Sequence, residues 1–198
     1  MKNFFTTRTF TILTFMLVAV AAGIILSTYN NSYQPTSPAQ QESTAALASA
    51  EIGRPVYLEI SSLNIDHEIE TVGLTKSGAM DTPKDPSGVG WYSGSARPGA
   101  AGSAVITGHY GWKNNLPAIF DNLSKIEIGD TVTIKDEKGV SFSFAVSALH
   151  TYPRDAIVPE IFNATDTRAH LNIITCTGRW NSAIKEYDER LVVFTVAK

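Results

Sequence analysis

From residue 52 onward apolar and polar positions alternate over short runs, the period of strands rather than of helices. Val56-Tyr57-Leu58-Glu59-Ile60 and Ile65-Asp66-His67-Glu68-Ile69 are the first two, separated by Ser61-Ser62-Leu63-Asn64. Turn-forming stretches follow, Thr75-Lys76-Ser77-Gly78 and residues 82–88, so little regular structure is expected between them. Next comes a small-residue strand, Ser103-Ala104-Val105-Ile106-Thr107-Gly108, ending in His109. Pro117 at a first helical position, with apolar residues three or four apart up to Leu123, predicts a short helix. Residues 131–135 read as a strand and Glu137-Lys138-Gly139 as a hairpin turn, and in the next strand Phe142, Phe144, Val146 and Ala148 alternate with Ser141, Ser143, Ala145 and Ser147. A single helical turn fits residues 157–162. Leu171-Asn172-Ile173-Ile174-Thr175-Cys176 is an apolar strand, residues 177–189 read as a polar loop, and Arg190 heads the strand 191–196. About eight short strands with brief helical turns predict a mostly-β barrel or sandwich.

The N-terminus breaks this pattern. Residues 10–26 read FTILTFMLVAVAAGIIL, and no charge occurs between Arg8 and Glu42. Counted on to Tyr29, the stretch reaches the roughly 17–25 residues that cross a bilayer as a helix. Lys2 and Arg8 precede it and nothing basic follows until Arg54, which predicts a cytoplasmic N-terminus (1–9), a single-pass anchor (10–29) and an extracellular remainder. A cleaved signal peptide is the alternative, with Ala19, Ala21 and Ala22 supplying small residues, but the apolar run exceeds the usual hydrophobic core of a signal. Residues 30–50 are rich in Ser, Gln, Ala, Asn and Pro without apolar period, a flexible linker that would hold the domain (51–198) on the order of 25 Å from the membrane.

Composition narrows the function. With 198 residues, 43% of them hydrophobic, the chain can bury one core, and a net charge of -3 excludes a basic nucleic-acid surface as the organising feature. The single cysteine excludes an internal disulfide. Cys176, His109 and Arg190 each lie at an expected strand terminus. Should those strands be neighbours, a thiol, an imidazole and a guanidinium converge on one rim: nucleophile, general acid/base and oxyanion or substrate-orienting group. Arg179 competes with Arg190, but it rides the expected loop. His67, His150 and His170 lack the short-range spacing of metal ligands. Trp91, Trp112 and Trp180 suit packing, and Trp112 and Trp180, close in sequence to the proposed site, are also candidates to line a substrate groove.

Thr107-Gly108-His109, Ile174-Thr175-Cys176 and Arg190-Leu191-Val192-Val193 resemble the three signature segments of the sortases, membrane-anchored cysteine transpeptidases of bacterial surfaces. The resemblance spans residues 55–196. Gly78-Ala79-Met80-Asp81, Val89-Gly90-Trp91-Tyr92 and Gly102-Ser103-Ala104-Val105-Ile106 further resemble the class D, E and F group, most of all class F. It implies an eight-stranded sortase β-barrel with short helices. It also implies cleavage of an LPxTG-type sorting signal between Thr and Gly through a thioacyl enzyme, then transfer to an amine of a peptidoglycan precursor or a pilin lysine. Cys176, His109 and Arg190 would be the catalytic residues, and Thr175 would touch substrate. No obligatory cofactor is implied; some sortases bind calcium, but no acidic cluster here has the spacing of a calcium loop.

Two other readings remain open on the sequence. A cysteine hydrolase would use the same three residues, with water resolving the thioacyl enzyme. A non-catalytic surface domain on a membrane stalk would place His109 and Arg190 far from an unreactive Cys176. The L,D-transpeptidases use cysteine in a Ser/Thr-His-Gly-Cys context that Ile174-Thr175-Cys176 lacks.

Overall fold

A computed structural model describes residues 52–198. The expected cytoplasmic segment, anchor and linker (1–9, 10–29 and 30–50) lie outside the described residues. Eight strands follow one another: β1 (Pro55–Ile60), β2 (Ile65–Val72), β3 (Val89–Tyr92), β4 (Gly102–Gly108), β5 (Thr131–Asp136), β6 (Ser141–Pro153), β7 (Ala169–Asn181) and β8 (Glu186–Ala197). They close into a barrel in the order β1-β2-β3-β4-β7-β8-β6-β5. The pairs β2–β3 and β4–β7 are parallel and the rest antiparallel, so the sheet is mixed.

Alternation explains the core. Leu58, Ile60, Ile65, Ile69, Val89, Trp91, Ala104, Ile106, Val132, Ile134, Phe144, Val146, Leu171, Ile173, Leu191 and Val193 point into the barrel. Three strands carry apolar residues on the other face as well. Val105 and Val192, together with Ile161 of the β6–β7 connection, form a second buried cluster outside the barrel wall, against which Met80, Tyr92, Ile174 and Phe194 pack. Burial on both faces is why β4, β7 and β8 read as near-continuous apolar runs. The covering connection is held down where the Asn172 Nδ2 donates to the Ile161 carbonyl at 2.7 Å. The helical turn expected at residues 157–162 is a single 3-10 turn, Pro159–Ile161.

Two expectations are corrected. No helix forms at 117–123; the segment is irregular, with one 3-10 turn at Leu123–Lys125. Its amides have tertiary partners instead: Ile119 N donates to Pro86 O at 2.9 Å and Phe120 N to His109 O at 3.0 Å. The spaced apolar residues Ala118, Phe120, Leu123 and Ile126 are buried there without a helix. The expected loop at 177–189 is mostly strand, because β7 runs on to Asn181 and β8 starts at Glu186. Cross-strand pairing of Trp180 with Tyr187, their rings 5.2 Å apart, holds this hairpin together.

At the β5–β6 turn, Asp136 is 3% exposed. Its carboxylate accepts from Gly53 N (2.9 Å), Lys138 N (2.9 Å) and Val140 N (2.8 Å). Burial pushes its pKa up, but the three amides and the nearby Lys138 charge outweigh that, and it lies below the ordinary carboxylate value.

Candidate active site

Strand register brings the three sequence-predicted groups into one row. β4 and β7 run parallel with Thr107 opposite Ile174. Carried two residues further, that register sets His109 level with Cys176. On the other side of β7, Cys176 pairs directly with Arg190 of β8. A thiol is thus flanked by an imidazole-bearing strand end and a guanidinium-bearing strand. His109 follows immediately after β4, at the strand terminus the pattern predicts, whereas Cys176 and Arg190, also expected at strand termini, lie inside extended strands.

Each neighbour is positioned differently. His109 follows a closely packed glycine. A Cβ on Gly108 would meet Phe120 ring carbons at 2.5–2.6 Å and Ile119 Cγ2 at 2.8 Å, so glycine alone allows this close approach. The Gly108 carbonyl accepts from the buried Thr175 Oγ1 at 2.9 Å, tying the end of β4 to β7. His109 Nε2 donates to the Pro83 carbonyl at 2.6 Å, since a carbonyl can only accept. That bond fixes the proton on Nε2 of the neutral ring and leaves Nδ1 as the basic nitrogen. The Trp112 ring packs on the imidazole with centroids 4.6 Å apart.

Arg190 is held by its own hairpin. A bulge interrupts the β7–β8 ladder between Thr177 and Trp180, and Gly178 takes φ +84° there. Next to this interruption Arg190 Nη1 donates to the carbonyls of Tyr187 and Glu189, each at 3.0 Å. Its Nη2 lies 3.6 Å from Glu186 Oε2.

Cys176, His109 and Arg190 open onto one cleft of about 690 Å³, whose walls also include Trp112, Lys113, Trp180 and Tyr187. Burial pushes the Cys176 thiol above its ordinary value; the Arg190 charge opposes this and the Glu186 charge adds to it. The resting sulfur is therefore protonated at neutral pH, and a base must take its proton as it attacks.

The remaining candidates separate. Trp112 and Trp180 line the cleft. Thr175, expected to touch substrate, is 3% exposed; its hydroxyl is turned to the Gly108 carbonyl and does not line the cleft. Arg179 is exposed and also lies outside it, its amide donating to Asp188 Oδ1 at 2.6 Å. His170 bonds Asp166 at 2.7 Å, His67 Nδ1 donates to the Glu68 carbonyl at 3.0 Å, and His150 packs beside Tyr152 and Phe194. Among the described residues no three His, Cys, Asp or Glu side chains are grouped to hold a metal. Sequence reasoning missed Glu186 and the Pro83 carbonyl. The period-two spacing of Glu186 and Arg190 on one strand face was the available signal for the first, hidden by reading 177–189 as loop.

A closed barrel whose one thiol stands between a guanidinium and an imidazole at the mouth of a cleft has the parts of a cysteine acyl-transfer enzyme. The sortase domain model matches residues 58–198, and the chain belongs to the sortase family, which is a family of cysteine transpeptidases. Solved structures agree on the fold. Sortase C1 of Streptococcus agalactiae superimposes with a TM-score of 0.57 at 19% identity, over 72% of this chain and 66% of that one. A lid mutant of sortase A from Corynebacterium diphtheriae gives 0.56 at 23% identity, over 91% and 94%. The sortase D5 transpeptidase of Clostridium perfringens gives 0.54 at 20% identity, over 79% and 88%. None of these three is a class F sortase by its description. A search of the curated proteins finds no match.

Proposed function

We propose that this sortase is a single-pass surface enzyme, anchored by residues 10–29 with its N-terminus in the cytoplasm, that cleaves an LPxTG-type sorting signal between Thr and Gly and transfers the acyl group to an amine. The observation that carries the assignment of roles is the row across three adjacent strands, with Cys176 between Arg190 and the strand end bearing His109. In the first step Cys176 Sγ attacks the Thr carbonyl carbon while His109 Nδ1 takes the thiol proton. The tetrahedral oxyanion is met by an Arg190 N–H. His109 then returns the proton to the departing Gly nitrogen, and a thioester remains. An incoming amine attacks that carbonyl and gives a proton to His109, which passes it to the departing sulfur, so the thiol and the neutral imidazole are both restored. The acceptor is a peptidoglycan-precursor amine or a pilin lysine, and the resemblance of residues 78–81, 89–92 and 102–106 favours the class D, E and F group, class F above all.

The test is mass spectrometry of the enzyme with an LPxTG-type peptide, with and without an amine. The expected result is a thioacyl adduct on Cys176 that transfers when glycine or a diaminopimelate-like amine is added. An adduct cleared equally fast by water alone would make the chain a hydrolase. Cys176→Ala should abolish both the adduct and labelling by a thiol-directed probe while the melting temperature holds; undiminished labelling would remove the nucleophile.

A further inference from the structure

Arg190 belongs to a chain of three charges. Glu186 Oε2 lies 2.8 Å from Arg154 Nη1 and 3.6 Å from Arg190 Nη2. The shorter separation is a charge-assisted hydrogen bond; the longer is Coulombic attraction alone. The carboxylate therefore leans away from the site, toward the end of β6. Arg154 is fixed there: its amide donates to the Asp188 carbonyl at 2.9 Å, and its Nε donates to Asp155 Oδ2 at 3.2 Å. Both N–H groups of Arg190 Nη1 are taken by carbonyls, so what Arg190 can offer to sulfur or substrate lies on Nε and Nη2. Nη2 is the group that Glu186 faces.

We propose that Glu186 and Arg154 act together as positioning residues: Glu186 draws the Arg190 guanidinium against the cleft wall, and Arg154 keeps that carboxylate from closing onto it. The proposal rests on the reading of Cys176 as nucleophile and Arg190 as its cationic neighbour. Both residues lie outside the row of three and neither touches the reacting atoms. Glu186 is half exposed, at 49%, so its charge is screened but not silenced.

The other charges around the sulfur do not duplicate it. The segment after β4 contributes His109, Tyr110 and Lys113, and the β7–β8 hairpin contributes Lys185 and Tyr187. Glu186 is the carboxylate among the residues lining the cleft, and it is the group that offsets Arg190 at the thiol. Arg154 reaches the site through it. An effect of Arg154 on the sulfur should therefore vanish when Glu186 carries no charge.

The experiment is the pH profile of iodoacetamide alkylation of Cys176 in the full chain, for wild type, E186Q, R154Q and the double variant, with turnover of an LPxTG-type peptide alongside. E186Q should move the profile to lower pH and speed alkylation at pH 7 by about two- to threefold, the size expected of a partly screened charge. Turnover should nonetheless fall, through kcat, because Nη2 loses the charge that draws it to the cleft wall and the guanidinium is left on its Nη1 bonds alone. Faster alkylation with slower turnover is a split that a merely structural residue would not produce. R154Q should move the profile to higher pH, and the double variant should follow E186Q. Profiles of E186Q and R154Q that overlay wild type would overturn the pair, as would additive shifts in the double variant, since Arg154 would then act on the sulfur by itself. A wild-type chain that is not alkylated at any pH up to about 10, well past the ordinary thiol range, would instead bring down the reading of Cys176, and the pair with it.

Discussion

The two hairpins at opposite ends of the barrel both hold a carboxylate, and they use it in opposite ways. In the β5–β6 turn Asp136 is almost wholly buried and accepts three backbone N–H bonds. In the β7–β8 hairpin Glu186 is half exposed and faces two guanidiniums, one at 2.8 Å and one at 3.6 Å. A buried carboxylate with every partner a rigid amide stabilises one turn geometry, because losing any partner leaves an unsatisfied polar group away from water. A carboxylate in water between two cations adds little to stability but sets the field at the cleft. Chemistry and stability are thus assigned to different ends of one barrel.

That separation can be attacked directly. The largest effect expected is on turnover: Arg190→Lys should lower kcat/KM on the order of 10²-fold, because an ammonium cannot reproduce the planar fork, while the melting temperature stays near wild type. A fully active lysine variant would point away from Arg190 and collapse the functional half of the comparison. Asp136→Asn comes next, and its effect is on stability. An amide cannot accept three N–H bonds with both of its heavy atoms, so unfolding should become easier by about 1–3 kcal/mol, with Cys176 alkylation unchanged.

The pH dependence sharpens this. The folded pKa of Asp136 lies below its unfolded value. Its contribution is therefore present above the ordinary carboxylate range and is lost as pH falls through the folded pKa. Denaturant unfolding followed from pH 7 to pH 3 should show a shallower acid loss in Asp136→Asn than in wild type. Equal slopes would mean the turn does not depend on that charge. The smallest effect is expected at Trp180→Ala. The side chain is 55% exposed and lines the cleft beside Tyr187, so the peptide KM should rise a few-fold, with stability lower by no more than about 1 kcal/mol, the worth of one cross-strand pair.

The same two hairpins show how far the sequence could be read. The β5–β6 turn was legible because its signal is local: Glu137-Lys138-Gly139 followed by strict alternation from Phe142 to Ala148. The β7–β8 hairpin was not, because Gly178 and five charged residues between 179 and 189 look like loop chemistry. Its strands exist through cross-strand partners, Trp180 with Tyr187 and Cys176 with Arg190, which no local window contains. The helix expected at 117–123 failed for a related reason. Its apolar spacing was real, but the amides of Ile119 and Phe120 found stronger claims in Pro86 and His109 than in a helical turn.

Residue types and strand period by themselves determined a mostly-β domain, barrel or sandwich, with a lone thiol, a histidine after a small-residue strand and an arginine before the last apolar run. They are properties of short segments, and short segments carry them. Tertiary structure alone decided that β4 and β8 flank β7, that Thr175 turns inward while Trp112 and Trp180 face the cleft, and that Glu186 sits between Arg154 and Arg190. The reason is that register and closure are set by pairing across the sheet: residues 67 positions apart lie level because two parallel strands share a ladder, and nothing local to either one encodes its partner.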